Sequence, residues 1–128
     1  MKNKFNILNR LVEENITSVN AGYRFYTLNI KKGLRSGADI CYGVTEFDKG
    51  ILALESTMEH EIARETLLHE LTHIVLEMVG LGGHEVTDEV VSRTNEDMTT
   101  LISRGFLLLM NLNPKLFEVL NEQLDDKA

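Results

Sequence analysis

The sequence predicts an α+β fold, and three observations lead there. Alternating strand-like residues with a turn between them occupy 40–55, an unbroken helical stretch follows over 59–79, and helical periodicity returns from about residue 87. A helix and a strand are expected before these. With 128 residues, 43% of them apolar, the chain is long enough to bury one hydrophobic core. It reads as a single domain over 1–128, with a short three-stranded sheet and helices around it.

Phe5, Leu8, Leu11, Val12, Ile16 and Val19 recur at helical spacing, so a first helix is expected over 5–19, ended by Asn20-Ala21-Gly22. Tyr23–Ile30 is aromatic and β-branched and reads as the first strand. Lys31–Asp39, with Gly33 and Gly37 around Arg35, reads as a solvated basic loop. Ile40–Phe47 and Ile51–Glu55 form a hairpin around Asp48-Lys49-Gly50. Residues 59–79 lack Gly and Pro, and Gly80 stops the helix; Ser56 or Thr57 is the expected cap, with Glu59 and Glu61 in the first turn. Leu81–Glu85 is a loop. A second long helix is expected from Thr87 or Asp88 to about Leu112, and Pro114 opens a short last helix from Lys115 to about Leu124.

A net charge of −7 argues against nucleic-acid or anionic-membrane binding. The single cysteine, Cys41, cannot form an internal disulfide and suits a reducing, cytoplasmic setting. The first residues do not resemble a signal peptide, and the most apolar run, Phe106–Met110, is too short to span a bilayer.

The chemistry concentrates in His69-Glu70-Leu71-Thr72-His73, an H-E-x-x-H run inside the helix. Residues i and i+4 stand one turn apart on one helix face, so both imidazoles can reach one ion. Leu67, Leu71, Ile74, Val75 and Met78 form the apolar arc, and Thr66, His69, His73 and Glu77 lie opposite. Composition alone would produce such a run in about one such chain in a hundred. Two ordinary surface histidines are the plain alternative. As a site, the pattern is that of zinc hydrolases: His69 and His73 as ligands, and Glu70 as the base that takes a proton from water.

A catalytic zinc needs a third protein ligand. The metzincin continuation would require Gly at Leu76 and His at Val79, and neither is present. A carboxylate from a later helix is the remaining common solution, and Glu96 is the choice. Glu96, Thr99, Thr100 and Ser103 share one helical face, with Met98, Leu101, Ile102 and Gly105 on the core-facing side. Glu89 is the runner-up. His84 is a candidate catalytic residue, folding over the metal or donating to an oxyanion; Tyr42 and Tyr23 are alternative donors.

His69-Glu70-Leu71-Thr72-His73 followed about two dozen residues later by Asn95-Glu96-x-x-Thr99 resembles the gluzincin layout. The compact size and the hairpin before the helix are similar to minimal gluzincins, nearest to small phage-encoded proteins with the ImmA/IrrE-like metallopeptidase domain. Thr99 fits that family's small residue after the ligand, whereas Thr100 departs from its usual Asn or Asp. The resemblance implies a small zincin-like domain and zinc-dependent hydrolysis of a peptide or protein substrate. Two other readings stand beside it. Deformylases pair H-E-x-x-H with a cysteine ligand, which would be Cys41, although a core cysteine is the simpler reading. A metal-stabilised binding or regulatory module without turnover is the non-enzymatic alternative.

Overall fold

The computed structural model describes residues 6–81 and 95–122. The fold is α+β. Helix α1 (Ile7–Glu13) leads into strands β1 (Ser18–Asn20) and β2 (Phe25–Lys31), then β3 (Arg35–Ser36), β4 (Asp39–Ile40), β5 (Gly43–Glu46) and β6 (Ile51–Glu55). The long helix α2 (His60–Met78) follows, then α3 (Asn95–Leu112) and α4 (Pro114–Leu120). No helix among the described residues is long and apolar enough to cross a membrane.

Four strands form the main sheet in the order β1-β2-β6-β5, and β3 and β4 pair separately. The sheet has one more strand than expected, because the first helix is shorter. Asn15 turns the chain with φ 58, a conformation that Asn tolerates better than most residues. Ile16, Thr17 and Val19 are β-branched and extend more readily than they coil. Thus Ser18–Asn20 pairs antiparallel with Phe25–Thr27. The loop over 31–39 is largely exposed, but Leu34 is buried and Arg35–Ser36 pairs with Asp39–Ile40.

Strand β6 is central: parallel to β2 on one side and antiparallel to β5 on the other. Its Leu52, Ala53, Leu54 and Glu55 are all buried. Glu55 is satisfied locally, accepting from Leu34 N at 2.8 Å and Thr57 Oγ1 at 2.9 Å. Thr57 is therefore not the cap of α2. Glu59 occupies that position without a side-chain hydrogen bond, and Glu61 supplies the acidic first turn.

Helix α2 lays Ala63, Leu67, Leu71, Ile74 and Val75 into the core opposite Leu52, Leu54 and Tyr26. Helix α3 crosses α2 at Gly105. A Cβ there would stand 2.8 Å from Val75 Cγ1 and 2.9 Å from Val79 Cγ1, so the missing side chain sets how closely the helices approach. Asn113 joins the end of α3 to β1, accepting from Asn20 N at 2.7 Å and donating to Asn20 O at 2.8 Å.

Candidate metal centre

The apolar arc of α2 faces the core, so its opposite face points outward, and His69 and His73 are both exposed there. Their Nε2 atoms approach to 3.2 Å. The rings are nearly perpendicular, at 76°, so the nitrogens meet without the rings stacking. Two nitrogens each about 2.0–2.1 Å from one tetrahedral ion stand about 3.3–3.4 Å apart, and the observed spacing fits. Glu70 completes a group whose potential ligand atoms all lie within 4.8 Å of one another.

Glu70 differs from the two histidines in being buried, at 5% exposure. Its surroundings come from β5, the last strand of the sheet. Thr45 Oγ1 donates to Glu70 Oε1 at 2.6 Å. Gly43, two residues earlier on the same strand face, leaves the space the carboxylate needs. A Cβ at 43 would stand 2.8 Å from Thr66 Cγ2, 3.1 Å from Glu70 Cγ and 3.2 Å from Glu70 Oε2. A cleft of about 410 Å³ results between β5 and α2, lined in part by Tyr42, Gly43, Thr66, His69 and Glu70. Gly43 and Thr45 are not motif residues; both share one face of the strand that borders the helix.

Tyr42 lines this cleft and is 56% exposed. Tyr23 is not among the cleft residues; its hydroxyl meets that of Tyr26 at 3.1 Å. Burial pushes the Tyr26 hydroxyl well above the usual phenol range, with the Tyr23 contact acting in the same direction. Cys41 is half-buried, outside the His69–Glu70–His73 group, and its N–H bonds to Leu34 O at 3.1 Å.

Glu96 stands apart. The expected division of its helix holds in part: Gly105 is buried, Ile102 packs on the core, and Glu96, Thr99 and Ser103 are exposed, while Met98, Thr100 and Leu101 are all half-buried. The polar face, however, meets solvent. Glu96 precedes the crossing at Gly105 by nine residues, about 13 Å along the axis. Met110, beyond the crossing, reaches a groove shared with Glu65 and Leu68, so α2 and α3 run antiparallel. Among the described residues, Glu96 is not one of those gathered with His69 and His73 within 4.8 Å. His84 and Glu89 lie outside the described residues.

No family model matches the chain, and no curated protein or solved structure matches it either. What the geometry supports is an H-E-x-x-H-type group that can hold a metal ion, on a helix bordered by a sheet edge.

Proposed function

We propose that the protein hydrolyses peptide bonds with the help of a zinc ion held by His69 and His73. The observation that carries this reading is the contrast within the motif. Two exposed imidazoles converge to 3.2 Å, while the carboxylate between them is buried and held by the edge strand. A solvated helix face has no reason to bury and orient that one acid.

When bound, the metal supplies Lewis acidity at the scissile carbonyl and acidifies the attacking water. Glu70 takes the proton of that water. Thr45 occupies Oε1, which leaves Oε2, beside Gly43 in the cleft, for the proton. Glu70 then returns it to the leaving amine. Tyr42, the exposed phenol lining the cleft, is the donor this reading assigns to the oxyanion. Strand β5 has one edge paired with β6, and its other edge can pair an extended peptide alongside the histidines.

A third protein ligand is part of this reading. Alanine variants at Glu96, His84 and Glu89 assign it by loss of metal. The competing reading is a metal-stabilised binding module, favoured by the fact that the gathered described residues supply two histidines and one acid. Cleavage of a peptide library by the wild type, lost in Glu70→Gln with zinc retained, supports the enzyme. Zinc binding without Glu70-dependent cleavage supports the module.

A further inference from the structure

A second concavity, of about 800 Å³, opens beside the histidine cleft where α2, α3 and α4 meet. Leu68, Phe106, Met110, Phe117 and Leu120 supply its apolar surface. Phe106, Phe117 and Leu120 rest on the core, whereas Leu68 and Met110 are 44% and 43% exposed. Apolar side chains clustered in a surface groove mark a place where something binds.

Two features indicate the occupant. The first is continuity: Glu65 lines both this groove and the cleft of His69 and Glu70, and Leu68 directly precedes His69. Extended chain advances about 3.3 Å per residue, so a peptide in the cleft reaches the groove within a few residues. The second feature is charge. Glu61 and Glu65 are exposed at the groove. Arg64, the cation beside them, bonds Leu120 O at 3.0 Å and pairs with Glu61 at 3.4 Å, which leaves Glu65 as the acid of the groove with no paired cation among the described residues. An occupant carrying positive charge is favoured. A second copy carries the same net charge of −7, so like charge opposes its docking here.

We propose that this groove is a substrate subsite for a polypeptide segment in which a bulky aliphatic or aromatic residue stands next to lysine or arginine. The apolar side chain lies between Leu68 and Met110, and the basic group faces Glu61 and Glu65. This rests on the hydrolytic reading of the neighbouring cleft and names its substrate class.

The test uses full-length Glu70→Gln, which binds without turnover, and three short fluorescein-labelled peptides read by anisotropy. One carries Leu-Phe flanked by lysines, one Leu-Phe flanked by glutamates, and one Ser-Ser flanked by lysines. The first is expected to bind about tenfold more tightly than either of the others. Leu68→Ser with Met110→Ser removes its advantage over the Ser-Ser peptide, and Glu61→Gln with Glu65→Gln removes its advantage over the glutamate peptide. Leu68 and Met110 are exposed enough for the variants to fold, which thermal melting checks. Equal binding of all three peptides, absence of binding, or a preference that survives the double serine variant overturns the proposal. So does sedimentation showing a dimer that depends on Leu68, which assigns the groove to a second copy. Loss of preference with zinc and hydrolysis intact refutes the subsite alone. Absence of zinc, or cleavage independent of Glu70, refutes the hydrolytic reading and leaves the groove result standing.

Discussion

Thr45 Oγ1 donates to Glu70 Oε1 at 2.6 Å, tying the edge strand to the residue between the two histidines. The contact engages one carboxylate oxygen, and the proposed mechanism uses the other. Thr45→Val keeps the volume and removes the donor. It is expected to retain zinc and the fold while lowering kcat about tenfold at similar KM. Steady-state kinetics beside metal analysis checks this; an unchanged kcat would make the bond purely structural.

Gly43 is needed for space. Gly43→Ala places a methyl 2.8 Å from Thr66 Cγ2 and 3.1 Å from Glu70 Cγ, so either β5 moves outward or Glu70 leaves its position. A stability loss of about 1–3 kcal/mol is expected, together with reduced activity. Denaturant titration measures the first and peptide cleavage the second.

Gly105 makes the matching case between helices. Alanine suits a helix interior better than glycine by about 1 kcal/mol. Here its methyl meets the β-branched Val75, which is fully buried and cannot rotate away freely. Overpacking outweighs propensity, and Gly105→Ala is expected to melt at lower temperature with unchanged zinc content. A higher melting temperature would show that α3 has slack against α2.

These contacts also mark where sequence reading stops. Helix α2 is legible because its apolar residues repeat at 3.6 and no Gly or Pro interrupts them; β6 is legible because a short run of four apolar residues, Ile51–Leu54, follows a turn signal. The motif was legible because i and i+4 share a face. Strand β1 was hidden, since Leu11, Ile16 and Val19 fit a helical repeat equally well, and only the reversal at Asn15 separates them. The polar and apolar sides of α3 are partly legible, with Gly105 and Ile102 inward and Glu96, Thr99 and Ser103 exposed. Periodicity tells which side of a helix is polar, and Glu96 shows that it does not tell whether that side meets a site or water. Gly43 and Thr45 depend on a long-range contact between strand and helix, which no local pattern encodes.

Acid should weaken the fold through Glu55. Its carboxyl is held below the usual carboxylate range, chiefly by the Leu34 N–H, with Thr57 adding to it. A lowered folded-state pKa gives stability that is present above the ordinary value, about 4.3, and is lost as pH falls below it. Glu14 and Glu122, lowered by Lys115 and Arg10, act in the same sense. The urea midpoint should hold from about pH 7 to 5 and fall below that. Glu55→Gln should start lower at pH 7 and fall less steeply in acid; equal slopes would remove Glu55 from this role.

Metal content across four proteins bears on the site as a whole. Wild type purified without chelator should carry about one zinc per chain, and His69→Ala and His73→Ala should each lose it. Glu70→Gln should keep the zinc while cleavage falls by several orders of magnitude. Inductively coupled plasma mass spectrometry on the purified chains reads all four values. Full zinc retention in either histidine variant, or a wild type that takes up no zinc when it is supplied, would contradict a metal centre at His69 and His73.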